Sequence, residues 1–131
     1  TMAYEISNYS VKVTLVAGAD LSSKQYNFVK LNSSGEAVAI AAITDVPVGV
    51  LQNAPTSGQE AEVLVSGGTK LVAGEAITLP AFLSVTSAGK ADKIAVTDTT
   101  QYVVGQALTA AGADAEVITA VVNCANPTRA N

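Results

Sequence analysis

The residue types that most often carry out chemistry are scarce in this chain of 131 residues, which has no histidine and a single cysteine, Cys124. Without histidine there is no imidazole base, no ordinary nucleophile–histidine–acid triad and no histidine metal ligand. A single thiol also has no second cysteine with which to bind zinc or to form an internal disulfide. We therefore predict that Cys124 has no catalytic role, because an activated thiolate needs a neighbouring base.

The carboxylates and one glycine-containing segment are the remaining candidates for chemistry. Asp92, Asp98 and Asp114 are interpreted as isolated turn carboxylates, since they lack the dense spacing of a calcium loop. Glu60 and Glu62 alternate along one predicted strand, where such residues are usually solvated. Residues 67–70 (Gly-Gly-Thr-Lys) resemble the end of a phosphate-binding loop but lack its upstream glycine and its following helix. The sequence predicts no catalytic, cofactor-binding or metal-binding residue, and hence no enzyme.

Composition and charge narrow the class of partner. Charged residues make up 14% of the chain, against about 25% in an average soluble domain. The net charge is −4, and the seven basic residues are scattered, which argues against nucleic-acid binding. No apolar stretch approaches the roughly 18 residues that would span a membrane. A surface so poor in charge suits a protein that is pressed against neighbouring proteins.

The pattern of apolar residues predicts strands. Residues 11–15 and 60–65 alternate apolar with polar side chains, and residues 26–31 are rich in strand formers before an Asn-Ser-Ser-Gly turn. Further strands are predicted at 48–53, 69–72, 81–86, 102–108 and 115–122, with residues 67–70 as a turn. The expected fold is all-β, a small antiparallel β-barrel or a β-tulip or sandwich. The alanine-rich segments 36–42 and 107–113 leave a single helical turn open as an alternative.

A degenerate internal repeat is the strongest long-range signal. Val16-Ala17-Gly18 recurs as Val72-Ala73-Gly74, an offset of 72−16=56. Phe28 recurs as Phe82, an offset of 82−28=54, and each phenylalanine precedes a polar turn that ends in glycine. The repeat predicts either a duplicated unit, with pseudo-repeats at 11–66 and 67–122, or two sheets that use similar turns.

The two ends of the chain differ from the β domain at 11–122. Residues 1–10 hold Tyr4, Ile6 and Tyr9 among polar residues, and the tail at 123–131 is polar and contains Pro127. These segments are either frayed ends or arms that become ordered on a partner. We favour an arm for residues 1–10, with Tyr4, Ile6 and Tyr9 as its candidate anchors.

Six short segments, in a fixed order, resemble those of tailed-phage capsid cement, or head decoration, proteins, a small β-rich family long left as a domain of unknown function. The likeness covers roughly residues 11–122, and no single motif in it is specific. The segments are 47–51 (Pro-Val-Gly-Val-Leu), 59–63 (Gln-Glu-Ala-Glu-Val), 72–78 (Val-Ala-Gly-Glu-Ala-Ile-Thr), 86–91 (Thr-Ser-Ala-Gly-Lys-Ala), 104–108 (Val-Gly-Gln-Ala-Leu) and 115–119 (Ala-Glu-Val-Ile-Thr).

The resemblance implies a structural virion protein without catalytic residues or cofactors. It would be made in the host cytoplasm, bind the outer face of the capsid and cross-link subunits of the major capsid protein, often as a homotrimer. The alternative is a β-sandwich binding module of a fibre or surface layer that recognises glycans or another protein. Such modules usually stack aromatic side chains on sugars, and this chain offers only four tyrosines and no tryptophan for that role, namely Tyr4, Tyr9, Tyr26 and Tyr102.

Overall fold

The computed structural model describes residues 10–129, in which every named strand pair is antiparallel and no helix occurs. The all-β prediction is confirmed, and neither alanine-rich segment forms a helical turn. The strands are β1 (Val11–Val16), β2 (Phe28–Leu31), β3 (Ala37–Ala39), β4 (Gly49–Leu51), β5 (Glu60–Val72), β6 (Phe82–Val85), β7 (Ala91–Lys93), β8 (Tyr102–Val103), β9 (Gly105–Ala107), β10 (Val117–Asn123) and β11 (Thr128–Arg129). None of these described residues belongs to a helix long and apolar enough to cross a membrane.

Nine strands form one curled sheet, a half-barrel in the order β3-β2-β4-β5-β10-β9-β6-β7, with β1 also paired to β5. The remaining two strands, β11 and β8, pair with each other. Short strands of this kind cannot stand alone, because an isolated pair buries too little apolar surface. The long central strand β5 therefore organises the sheet.

Strand β5 corrects one prediction from the sequence. It runs without interruption for 13 residues through the glycine pair that predicted a turn at 67–70. Gly67 has a φ of 131°, which a residue with a side chain rarely adopts, and Gly67 and Gly68 pair with Val122 and Val121 of β10. The glycines were misread because an irregular strand backbone and a turn both favour glycine. The ladder with β10 keeps the chain extended here.

The order of strand pairing in the first half, residues 11–66, recurs in the second half, residues 67–122. The first half pairs β5-β4-β2-β3 and the second pairs β10-β9-β6-β7. Matching residues keep the offsets seen in the sequence, since Ala37 and Ala91 differ by 91−37=54 and Gly49 and Gly105 by 105−49=56. The C-terminal part of β5 flanks β10 as β1 flanks the N-terminal part of β5. Division of the chain into two superposable repeats stays a prediction.

The hydrophobic core has two clusters, and they divide unequally between the halves. The smaller cluster belongs to the first half alone and includes Leu21, Val29 and Leu51. The larger cluster contains the core of the second half together with first-half residues such as Phe28 and Leu64. The second half thus covers part of the first half, and this packing joins the two.

Strands β3, β7 and β11 were not predicted, because two or three residues show too little alternation to be recognised. Strand β11 lies within the predicted C-terminal tail at 123–131, where it pairs with Tyr102–Val103 of β8. The Arg129 guanidinium also lies 5.9 Å from the centre of the Tyr102 ring. This part of the tail is therefore attached to the second half.

Candidate functional site

The predicted anchors of the N-terminal arm, Tyr4, Ile6 and Tyr9, lie outside the described residues 10–129. Their role in contacting a capsid stays a prediction. The candidate site is therefore built from the side chains that the structure describes.

Cys124 follows β10 and is a free, buried thiol with 7% of its surface exposed. Burial raises the pKa of the Cys124 thiol to about 12. The thiol is consequently protonated at neutral pH, whereas the thiolate is the form that attacks electrophiles or binds metals. Cys124 acts as a small hydrophobic side chain in the larger core cluster.

Three of the sequence's candidate carboxylates have local structural positions. Asp98 Oδ2 accepts a hydrogen bond from the backbone N–H of Ala95 at 2.7 Å, which closes a loop. Asp114 Oδ1 lies 3.1 Å from the Lys90 ammonium in an exposed ion pair. Glu62 lies on the exposed face of β5 and belongs to no carboxylate cluster among the described residues.

Asp92 is not the isolated turn carboxylate that the sequence predicted. It lies in β7, where its Oδ2 accepts a hydrogen bond from Gln101 Nε2 at 2.9 Å. Burial, followed by a hydrogen bond and charge repulsion from Glu75, raises the pKa of Asp92 to about 6. The neighbouring Ser84 Oγ and Gln101 Oε1 are buried without a hydrogen-bond partner in the described structure. The bridge between Ala73 and Ala91 brings these distant residues together.

The Asp92 cluster lacks the other features of a catalytic or metal site. Within residues 10–129 no three His, Cys, Asp or Glu side chains converge as metal ligands. The two cavities described below do not include Asp92 or Glu75. A catalytic acid must reach a bound substrate, so this cluster is best understood as a local hydrogen-bonded network.

The most distinctive surface is apolar. Phe82, Gln106 and Val121 are cross-strand neighbours on β6, β9 and β10, and we call them the exposed row. Phe82 is 59% exposed and Val121 is 41% exposed. The exposed row borders an open cavity of about 410 Å³, and none of the described residues that line this cavity is charged. An aromatic ring left in water beside an uncharged groove is typical of a binding surface.

The exposed row has a counterpart in the first half that is completely covered. Phe28, Val50 and Leu64 are cross-strand neighbours on β2, β4 and β5, and we call them the buried row. All three are 2% exposed or less. They belong to the larger core cluster, which is formed mostly by the second half. The two rows occupy equivalent positions of the sheet, and of the two only the buried row is covered by other residues of the described part of the chain.

A second, smaller cavity of about 340 Å³ is lined by first-half residues, among them Leu31 and Val46, and by Cys124. These two side chains are 46% and 49% exposed. Their equivalents in the second half, Val85 and Tyr102, differ in environment, since Val85 is buried and Tyr102 packs against the larger cluster. Leu31 and Val46 are therefore exposed in the first half, whereas the matching residues of the second half pack in the larger cluster, which also contains the buried row.

Sequence reasoning missed the exposed row because its signal is not local. Phe82 was recognised only as the repeat of Phe28, and repetition predicts the same burial for both. The polar residue Gln106 in place of Val50 is the one signal that could have marked this surface as exposed.

A comparison with solved structures finds a similar fold in the N base of the head fiber gp8.5 of bacteriophage phi29. The TM-score is 0.64 at 19% sequence identity, and the match covers 88% of this chain and 95% of that chain. No family model and no curated protein matches this sequence. At this level of identity the likeness shows a shared fold.

Proposed function

We propose that this protein is a non-enzymatic structural component of a phage head, which binds the outer face of the capsid and cross-links subunits of the major capsid protein. The observation that carries the proposal is the fold shared with a phage head fiber base over 88% of the chain. Because one fold can host unrelated functions, the properties of the surface matter as well.

The surface suits adhesion through apolar and backbone contacts. Residues 10–129 contain two ion pairs, Lys30–Asp45 and Lys90–Asp114, and exposed pairs are each worth under about 1 kcal/mol. Large apolar side chains, in contrast, are exposed at several positions, with Val11 and Val117 both above 50%. A typical stable interface buries about 800 Å² per partner. Repetition over a capsid lattice strengthens modest contacts, because engaging several subunits raises the effective concentration.

Residues 1–10 are the proposed reaching arm, with Tyr4, Ile6 and Tyr9 as anchors. Ordering such a segment on a partner costs conformational entropy, which the burial of two tyrosines and an isoleucine offsets. An arm of this kind should be removable without unfolding the β domain.

The test uses heads of the phage that encodes this chain, stripped of the protein. We expect the full chain to co-sediment with these heads, to remain bound in near-molar salt, and to raise their melting temperature. A chain lacking residues 1–9 should unfold in urea like the full chain but bind the heads more weakly. Absence of binding by the full chain would refute the proposed function, whereas equal binding by the truncated chain would refute the arm alone.

Point substitutions separate the anchors from the segment that carries them. The double variant Tyr4→Ala and Tyr9→Ala should weaken binding nearly as much as removal of the segment. The matched control is Ser7→Ala with Asn8→Ala, which changes two residues between the anchors and should leave binding intact. An equal loss in both double variants would show that the tyrosines are not anchors.

A glycan-binding module is the less supported alternative. Of the four tyrosines, Tyr26 and Tyr102 are described, and both are half-buried. Each also has a basic group 5.9 Å from its ring centre, Lys70 over Tyr26 and Arg129 over Tyr102. A ring face occupied by a cation is a poor platform for a sugar, so no observation favours this function.

A further inference from the structure

The contact that covers the buried row includes a turn of the second half. In this turn, residues 86–89, the Gly89 carbonyl accepts a hydrogen bond from the Phe28 N–H at 2.7 Å. The Ala88 carbonyl also accepts a hydrogen bond from Asn27 Nδ2 at 3.4 Å. A Cβ on Gly89 would lie 3.5 Å from the Cβ of Ile40. The turn 86–89 therefore seals one end of the buried row.

The equivalent turn of the first half, residues 32–35, has the same construction. Gly35 N–H donates to the Asn32 carbonyl at 3.1 Å, as Gly89 N–H donates to the Thr86 carbonyl at 3.0 Å. The two glycines have φ values of 78° and 82°. Yet Gly89 is buried, whereas Gly35 is exposed and a Cβ added to it would meet nothing within 4 Å. Among residues 10–129 the glycine of this turn packs against the other half in one case and against nothing in the other.

Within one chain, the turn 86–89 contacts the buried row. The equivalents of these two surfaces, the turn 32–35 and the exposed row, are also present in each chain but do not contact each other. Within residues 10–129 the exposed row has no covering layer, and the turn 32–35 with the neighbouring Leu31 and Val46 covers no equivalent row of the sheet. Leu31 and Val46 match Val85 and Tyr102, by 85−31=54 and 102−46=56, and these two pack in the cluster that contains the buried row. The unused surfaces are therefore the two sides of the contact that already joins the halves.

We propose that the exposed row binds the first half of a second copy of this chain. The turn 32–35 of that copy lies over Phe82 as the turn 86–89 lies over Phe28 within one chain. The contact between halves is continued from one molecule to the next, so the occupant of the groove is another copy.

The chemistry of the two surfaces agrees. The cavity beside the exposed row is lined by apolar and amide side chains, among them Phe82, Val121 and Asn123, and by no charged residue. The turn 32–35 is Asn-Ser-Ser-Gly, which is also uncharged, and the exposed Leu31 precedes it. Glu36 follows the turn, and its Oε1 accepts a hydrogen bond from Asn32 Nδ2 at 3.0 Å. Neither surface places a bare charge against an apolar group, which would be costly to bury.

The proposed contact is heterologous, because different surfaces of the two copies meet. Such contacts close into rings when the rotation between copies allows it and otherwise build filaments. Here every copy in a closed ring would have both its exposed row and its turn 32–35 covered. Self-association through these two surfaces does not require binding to a capsid.

The first experiment measures self-association of the full chain by light scattering and sedimentation over a range of concentrations. We expect a discrete oligomer that Phe82→Asp weakens at least about 100-fold, because the substitution would bury an unpaired carboxylate at the contact. Leu31→Asp, on the opposite surface, should weaken the oligomer similarly. Val96→Asp is the matched control, since Val96 is fully exposed in the loop after β7 and should not affect association. Urea midpoints near that of the wild type would show that the variants fold.

Mixing the two disabled variants tests the head-to-tail geometry. The Phe82→Asp chain keeps an intact first-half surface, and the Leu31→Asp chain keeps an intact exposed row. The mixture should therefore form a one-to-one complex at concentrations where each variant alone is monomeric. Failure to form this complex would overturn the heterologous arrangement.

Other occupants of the groove give different results. A wild-type chain that stays monomeric, or an oligomer that Phe82→Asp does not weaken, overturns the inference. If the chain is monomeric and Phe82→Asp abolishes binding to heads, the occupant is the capsid protein and the proposed function stands. If the chain oligomerises as described but does not bind heads, the inference stands and the proposed function fails.

Discussion

The first and second halves of this chain, residues 11–66 and 67–122, pair their strands in the same order but bury equivalent residues differently. Phe28 is 1% exposed and Phe82 is 59% exposed, although they occupy the same place in the repeated pairing. The difference arises because the second half covers the first, whereas nothing within the described chain covers the second. Burial in a repeated sheet is thus decided by the next layer and not by the residue type.

The side chains of the exposed row agree with this difference in burial. Where the buried row has Val50 and Leu64, the exposed row has Gln106 and Val121. The central position has become polar and one flank has lost a methylene, while the phenylalanine is retained. A surface with a polar centre and an apolar rim remains compatible with water and with a partner.

The largest expected difference between the halves is in the two phenylalanines. Phe28→Ala should lower the free energy of unfolding by about 3–5 kcal/mol, because it leaves a cavity in the core. Phe82→Ala should lower it by less than about 1 kcal/mol, since most of that ring is already in water. Urea unfolding at a concentration where the chain is monomeric measures both. Similar losses in the two variants would mean that the rows do not differ in coverage.

The glycines of the two matching turns sharpen the comparison. Gly35→Ala should lower the free energy of unfolding by about 1 kcal/mol, because alanine is strained at positive φ but meets no neighbour there. Gly89→Ala should cost about 2–4 kcal/mol, because its Cβ would lie 2.7 Å from the Phe28 carbonyl oxygen in addition to the same strain. The difference between the two urea midpoints reports the contact between halves, and equal midpoints would contradict it.

The halves should also respond to pH with opposite signs. The pKa of Asp92 is raised from 3.8 to about 6, so its contribution to stability is complete below pH 3.8 and is lost as pH rises through about 6. Hydrogen bonds from the Ala41 backbone and Lys30 lower the pKa of Asp45, so its contribution is present above pH 3.8 and is lost as pH falls.

Unfolding free energies measured from pH 3 to pH 8 would separate these two effects. Asp92→Asn should remove a decline of about 1 kcal/mol between pH 4 and pH 7, a figure reduced for the partial exposure of this carboxyl. Asp45→Asn should remove only the loss at acid pH. If Asp92→Asn leaves the decline unchanged, the pairing with Glu75 does not control it.

The smallest expected effects on the free energy of unfolding are at residues 30 and 84. These two positions are equivalent in the repeat, with an offset of 84−30=54. Lys30 makes a half-exposed ion pair with Asp45 at 2.9 Å, so Lys30→Ala should cost under about 1 kcal/mol. The second small effect is expected at Ser84, which is fully buried and whose Oγ has no hydrogen-bond partner in the described structure. Ser84→Ala should therefore leave stability unchanged or raise it by up to about 1 kcal/mol. A clear loss of stability in the Ser84→Ala variant would reveal a hidden hydrogen bond.

Much of the fold was predictable from the sequence because strand alternation and turn chemistry are local. The strands around residues 11–15, 26–31 and 60–65 were recognised in this way. The short edge strands β3 and β7 were not, since three residues carry too little pattern, and the extended glycine pair in β5 looked like a turn. Local patterns also cannot show which face of a strand will be covered.

The candidate site was far less predictable. Its residues come from three strands, and its significance lies in the exposure of Phe82, which depends on the packing of the whole chain. The pairing of Asp92 with Glu75 was equally hidden, because it depends on a bridge between segments that are far apart in sequence. The arm residues Tyr4, Ile6 and Tyr9 were inferred from composition, and their role stays a prediction.

The coverage of the first half by the second has a consequence during synthesis. The ribosome completes the pairing partners of β1 and β4 once residue 66 has emerged, but strand β10 ends at Asn123. The intervening 123−66=57 residues take about 3–11 s to translate at typical rates. During that interval the layer that covers Phe28, Val50 and Leu64 is incomplete, so the nascent chain exposes an apolar row that the finished protein buries. We expect this stage to be the one at which the chain is most exposed to aggregation and most dependent on chaperones.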